Sequence, residues 1–443
     1  MTKKSGIGTL ITEEHELGTS ALDLFSVPPV ERTQRQGQEH NIFLSHPLTN
    51  EGPYEFLIPG NATDFVMLDK TALYGEVEIL GPANVKVKDT NLGVSVVNNF
   101  PQALFKQVEI SLNGVCVSDL STPTYPYKAY LENHLSYGRD IKETTLLAKE
   151  MYVQDEPGKE GDTMTDLADF KGTDGVTKRA IMIRNKICFN MKLHLDMLGS
   201  TRHLIPGVDI KIKLIRGDDK FAMLSTDASF KINLKLLQLK IRRISVAPEI
   251  VSEIENGLLT EPVKYPIALS RLKAHSIASG TTSFQVQSIM RGKLPRSFIF
   301  GFLEADAFEG SYTKNPFMFK HFNLSLMNVH INGVPVHSMP ITPKWENTEC
   351  VDEYSRFLDN IGLHQNHTNG ITLEDFKSNT VLFCYDLSPD LCNSFYKHAV
   401  EEGNVDISVS FASATTKNIV LLLYSTYDEL VLIDKDRNVA IST

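Results

Sequence analysis

The feature that most constrains this chain is a unit that occurs twice. From Phe105 to Gly138 the sequence reads FKQVEISLNGVCVSDLSTPTYPYKAYLENHLSYG, and from Phe319 to Gly362 it reads FKHFNLSLMNVHINGVPVHSMPITPKWENTECVDEYSRFLDNIG. Each copy opens on Phe-Lys, alternates apolar with polar residues, and reaches Asn-Gly-Val (Asn113, Gly114, Val115; Asn332, Gly333, Val334). Each then alternates again and closes on an aromatic-bearing segment. In the first copy Val108, Ile110 and Leu112 alternate with Glu109, Ser111 and Asn113, the period of a strand buried on one face. Asn and Gly tolerate the positive φ that a tight type I′ hairpin needs at both central positions, so Val115 and Val117 are expected beside Ile110 and Leu112. Tyr127, Tyr130, Leu131, His134 and Leu135 share one helical face, with Pro126 in the first turn and Gly138 as a stop. The second copy puts Trp345, Cys350, Tyr354, Phe357 and Leu358 in that place. A further match, GVDIKIKLIR from Gly207 against GNVDISVSF from Gly403, falls at the same relative position.

Such repetition predicts an all-β chain of two tandem sandwiches carrying short helical insertions, and 443 residues fit two domains better than one. The junction is expected at Ser245–Leu259, a short helix with Pro248 early and Gly257 late. The expected divisions are an arm at 1–40, a first sandwich at 41–245, a linker helix at 246–262 and a second sandwich at 263–443. Within the arm, Met1 to Ser20 has little apolar periodicity, and Leu22, Leu24 and Phe25 in ALDLFSVPP read as its anchor. Gln154–Lys178 and Ile361–Ser378 read as exposed loops.

With 42% hydrophobic and 22% charged residues the chain can bury a sizeable core. No run approaches the roughly 18 apolar residues of a membrane span, and Met1 to Leu10 lacks the apolar heart of a signal peptide, so neither insertion nor secretion by that route is expected. Five scattered cysteines (Cys116, Cys188, Cys350, Cys384, Cys392) without a C-x-x-C fit a reducing compartment. A net charge of -10 argues against a protein whose main task is gripping nucleic acid. Lys231, Lys235, Lys240, Arg242 and Arg243 form a basic strand that could touch nucleic acid or a neighbouring subunit's carboxylates, although a solvated face is the commoner case.

No nucleophile elbow, P-loop, H-E-x-x-H or dinucleotide fingerprint is present, so no catalytic residue, cofactor or metal is expected. His364 and His367 make an H-x-x-H in an Asn-rich loop, a pattern more often solvated than metal-binding. The aromatic groups at Tyr125–Tyr137 and Phe298–Phe322 read as core, not as a stacking platform. Two other classes stay open from the residues alone: a glycan-binding β-sandwich protein using the exposed loops, and a hydrolase on a sandwich scaffold.

Several long segments, in order, carry a resemblance: LDLFSVPP, FKQVEISLNG, TYPYKAYLENHLSYG, GVDIKIKLIR and FEGSYTKNPFMFKHFNLSLMNVHINGVPV. Together they resemble the major capsid protein of Polinton (Maverick) elements and adintoviruses. The resemblance implies a double jelly roll of the adenovirus and tectivirus lineage, two eight-stranded sandwiches per chain. It further implies a homotrimer forming a pseudo-hexagonal, hexon-like capsomer that contacts neighbouring capsomers, penton and minor capsid proteins. The expected shell is icosahedral, encloses double-stranded DNA without sequence-specific binding, and is assembled inside the host cell. That family supplies no catalytic residue, so only structural roles carry over: the turns at Asn113, Gly114, Asn332 and Gly333, and the helical insertions at Tyr125–Gly138 and Trp345–Gly362.

Overall fold

The computed structural model describes residues 33–87, 93–119, 124–155, 175–226, 228–346, 348–361, 369–389, 399 and 401–442. Apart from a two-stranded pair, Val94–Val96 with Met223–Ser225, its first eight strands are β1 (Gln34–Phe43), β2 (Tyr54–Ile58), β3 (Asp64–Leu80), β4 (Phe105–Leu112), β5 (Val115–Cys116), β6 (Ile187–Lys192), β7 (Ile210–Arg216) and β8 (Lys231–Val246). They pair antiparallel into two four-stranded sheets, β1-β8-β3-β6 and β2-β7-β4-β5. The next eight are β9 (Val263–Ile277), β10 (Ser283–Lys293), β11 (Ser297–Glu304), β12 (Leu324–Ile331), β13 (Val334–Pro335), β14 (Leu382–Asp386), β15 (Glu402–Phe411) and β16 (Ile419–Ile433). Their order is β9-β16-β11-β14 and β10-β15-β12-β13, with Val439–Ser442 added along β16. Adding eight to every strand of the first two sheets yields the second two. The halves therefore share one strand order.

Both Asn-Gly pairs close hairpins, β4 to β5 and β12 to β13. Asn113 and Gly114 have φ of 46° and 82°, and Asn332 and Gly333 have 52° and 79°, the left-handed pair a type I′ turn demands. The asparagine side chains act alike as well. Asn113 Oδ1 accepts the Asp209 amide at 2.7 Å, and Asn332 Oδ1 accepts the Asn404 amide at 2.9 Å, so each pins the start of the adjacent strand, β7 or β15.

A Cβ added at Gly333 would meet nothing within 4 Å, and the same holds at Gly257 in the linker helix. Alanine at either position thus reports backbone preference alone. Gly333→Ala is expected to lower stability by about 1–2 kcal/mol through its left-handed φ, whereas Gly257→Ala should raise it by about 0.8–1.0 kcal/mol. Denaturant melts of the two variants check this, and equal signs would mean the turn is not built as described.

The five longest α-helices among the described residues are α1 (Tyr125–Ser136), α2 (Gly175–Met182), α3 (Pro248–Leu258), α4 (Val351–Asn360) and α5 (Leu373–Ser378). Helices α1 and α2 lie between β5 and β6, while α4 and α5 lie in the equivalent connection between β13 and β14. Helix α3 links the halves.

The apolar run Ile419–Tyr424 shows how the halves meet. On β16, Leu421 and Leu423 face the inner core of the second sandwich with Phe298, Phe300 and Phe302 of β11. Leu422 faces the other way, into the core that also holds the first sandwich, as do Leu382 and Cys384 of β14 and Ile267 and Leu269 of β9. A sheet covered on both faces needs apolar residues at successive positions, hence a continuous run in place of alternation. The outer strand β15 keeps its alternation, burying Val405, Ile407, Val409 and Phe411.

Three expectations change here. Strand β1 starts at Gln34, inside the stretch assigned to the arm, because it is an exposed edge strand held by backbone pairing with β8 and needs no apolar alternation. Gly175–Lys178 belongs to α2, whose Val176 and Arg179 are buried, so that end of the Gln154–Lys178 stretch is packed and not a surface loop. Likewise Ile361–Ser378 contains α5, which buries Phe376 and is started by a capping box between Thr372 and Asp375.

Candidate functional site

Helix α1 is the key to the seam between the two sandwiches. Its aromatic residues predict one buried face, yet Tyr125, Pro126, Tyr127, Lys128, Ala129, Tyr130, Leu131, Asn133, His134 and Leu135 are all buried. The reason is position: a sandwich lies on each side. Tyr130 stacks on Phe317 of the second half with ring centroids 4.4 Å apart, and Tyr127 stacks on Phe308 at 5.3 Å. On the other side α1 meets β4 and the short turn Asp196–Gly199 that follows β6.

A buried polar cluster joins the halves along this helix. Lys128 Nζ is in close contact with Asp196, and Glu132 Oε1 lies 3.7 Å from the same ammonium. Asp196 also accepts the Ser270 amide at 3.1 Å and the Ser270 hydroxyl at 3.0 Å, both from β9. Glu132 is bonded to His194 Nδ1 at 2.6 Å and accepts from the Tyr424 hydroxyl of β16 at 3.2 Å. Burial disfavours the Lys128 ammonium, but Asp196 and Glu132 outweigh it and hold it protonated. Burial likewise works against Glu132, and Lys128 with His194 still brings its carboxyl to about 2.

Glu132 therefore contributes stability that is present above the ordinary glutamate value near 4.5 and is lost as pH falls toward about 2. Glu132→Gln should flatten the acid side of the stability curve in that window. Urea melts of both proteins from pH 6 to pH 2.5 (about the span over which carboxylates titrate) test it; parallel curves would mean the Glu132 carboxylate is not coupled to the seam.

Two more groups tie the seam. Arg179, fully buried, donates to the carbonyl of Val96 at 2.7 Å and pairs with Asp155 at 2.8 Å, and Asp155 accepts from Asn315 of the second half at 3.1 Å. His134 is bonded to the Tyr152 hydroxyl at 2.6 Å and to Thr380 of the second half at 3.1 Å.

These groups bond chiefly to one another. The cavity beside Lys128, His194 and Asp196 is about 40 Å³. A larger one of about 290 Å³ runs between α1 and strands β11 and β14. Among the described residues no group of three His, Cys, Asp or Glu side chains could hold a metal, and no helix is long and apolar enough to cross a membrane. The arrangement bonds the two sandwiches to each other across the seam.

No family model matches the chain. An uncharacterized Caenorhabditis elegans protein is 24% identical over 409 residues, covering 89% of this chain and 94% of that one. Among solved structures, a chain of the Sputnik virophage aligns over 96% of this chain and 91% of its own with a TM-score of 0.60 at 12% identity. The mavirus major capsid protein aligns over 100% and 97% with a TM-score of 0.56 at 12% identity, and the PBCV-1 virus capsid over 95% and 99% with 0.55 at 10%. Each likeness spans both halves and the seam. The chain is a double jelly roll.

Within the double jelly roll, the turns at Asn113–Gly114 and Asn332–Gly333 close hairpins and are not members of the buried seam cluster. Asn113 has one contact across the halves, donating to the Arg437 carbonyl at 2.8 Å. Trp345 is not part of the second helical insertion, which starts at Val351; its ring stacks on His321 and its Nε1 donates to the Leu324 carbonyl at 2.8 Å. On the basic strand, Lys235 lies 3.5 Å from Glu78 and Lys240 4.0 Å from Glu39, while Arg243 donates to the Pro59 carbonyl. Leu22, Leu24 and Phe25, His364 and His367, and Cys392 lie outside the described residues. Sequence reading missed the seam cluster. Its one local signal is Lys128 and Glu132 four residues apart on an otherwise aromatic helix.

Proposed function

We propose that this double jelly roll is a viral-type major capsid protein, a structural component without enzymatic activity that trimerises into hexon-like, pseudo-hexagonal capsomers. The observation that carries the reading is the repetition of one strand order in two sandwiches fixed to each other by a buried seam, in an architecture like that of the mavirus major capsid protein along nearly the whole of both chains. Three such chains present six similar flanks, so one protein tiles a near-hexagonal lattice by repeating similar contacts. The capsomers close an icosahedral shell around double-stranded DNA, with penton and minor capsid proteins as further partners, and the protein resides in the virion. The sequence resemblance further favours the Polinton and adintovirus lineage. In this reading the arm that precedes β1, with Leu22, Leu24 and Phe25 as its plug, works between subunits.

Mass photometry of the purified protein across a dilution series tests the assembly unit. The expected species is a trimer of roughly 150 kDa, three times the 49.5 kDa chain. A monomer that gains no mass as concentration rises would count against the assignment.

A further inference from the structure

Lys142, Asn369 and Asp375 are buried together where the first sandwich's insertion meets the second's. Lys142 lies just beyond α1, and Asn369 and Asp375 flank the start of α5. Lys142 Nζ donates to the main-chain carbonyl of Asn369 at 2.6 Å and to that of His134 at 2.6 Å. Burial pushes this amine down to about 7, with Asp375 opposing the shift, so a large share is the neutral, nucleophilic form at physiological pH. The Tyr152 ring centroid is 5.9 Å from Nζ.

Asn369 carries the nearby carboxamide. Its Oδ1 accepts the Ile371 amide at 3.1 Å, which draws electrons from the carboxamide carbon. Its Nδ2 is buried with no hydrogen-bond partner, an arrangement that folded proteins generally avoid and that invites an explanation. The carbonyl that Lys142 touches is joined to that carboxamide carbon only through Cα and Cβ. Asp375 is held by Thr372, whose amide and hydroxyl both bond Oδ2, at 2.9 and 2.7 Å.

We propose that Lys142 and Asn369 join in an intramolecular isopeptide bond across the seam. Nζ attacks Cγ of Asn369; the Nζ–Cγ bond forms, the Cγ–Nδ2 bond breaks, and ammonia leaves. The proton shed by Nζ goes to the departing nitrogen, which leaves as ammonia, so no oxidant, cofactor or second protein is required. The product straps the β5–β6 connection of the first jelly roll to the β13–β14 connection of the second. It also removes the orphaned amide nitrogen. The proposal does not depend on the capsid reading.

Intact mass spectrometry of the purified, fully denatured and reduced chain tests it. The expected mass is that of the sequence less one ammonia, and proteolysis should release a branched peptide joining Lys142 to Asn369. Asn369 precedes Gly370, so cyclisation of Asn369 onto its own backbone would lose the same mass. Two controls separate these chemistries. Lys142→Arg and Lys142→Met should both return to full sequence mass, and hydroxylamine should leave the wild-type branched peptide intact. Wild-type protein at full sequence mass overturns the proposal, as does an ammonia loss that persists in either lysine variant; the branched peptide from wild-type protein identifies the bonded pair without relying on how well a variant folds.

Discussion

Asp196→Ala is expected to cost the folded chain about 3–5 kcal/mol, because it leaves the buried Lys128 ammonium without its nearest carboxylate. It also strips the Ser270 amide of its acceptor and leaves the Ser270 hydroxyl with Tyr424 alone, loosening β9 against the first jelly roll. Asp196→Asn keeps the shape and an oxygen for Ser270, so a smaller loss is expected. Chemical denaturation of both variants measures this. A loss below about 1 kcal/mol for Asp196→Ala would put the pair in the class of solvent-screened surface bridges and remove it from the seam's cohesion.

Phe300→Ala probes the other core. Phe300 is buried at the centre of the second jelly roll, with Phe302, Phe383 and Tyr385 around it at ring-centroid distances of 6.2, 5.4 and 6.1 Å. Truncation should cost about 3–5 kcal/mol from lost burial and the cavity left behind. Leu421 and Leu423 border the same core, whereas Leu422 faces the seam. Damage from Phe300→Ala should therefore fall on the second half first, and hydrogen exchange should rise in β10, β12 and β15 before β2 and β4. Uniform acceleration in both halves would show that the seam makes the two cores one cooperative unit.

The all-β, two-sandwich architecture is legible in the sequence because period-two alternation and Asn-Gly turns act locally. Val108, Ile110 and Leu112 state their buried face without help from distant residues. The continuous run Ile419–Tyr424 is less legible, since a sheet covered on both sides loses the alternation that marks a strand. The seam is not legible. Lys128, Asp196, Ser270 and Tyr424 come from four separated parts of the chain, and no spacing rule brings them together. Helix α1 misled for a related reason: an amphipathic reading assumes that one face meets solvent, and between two sandwiches neither face does. Strand β1 was hidden by the opposite circumstance, an exposed edge whose polar residues carry no buried period.

The proposed function makes this double jelly roll a building block of shells. Electron microscopy of the purified chain, imaged first as isolated particles and then under conditions that promote assembly, tests it most directly. A capsid role predicts three-fold particles with a near-hexagonal outline that tile into closed, icosahedral shells. Monodisperse single chains at every concentration, with neither trimers nor lattice, would contradict it.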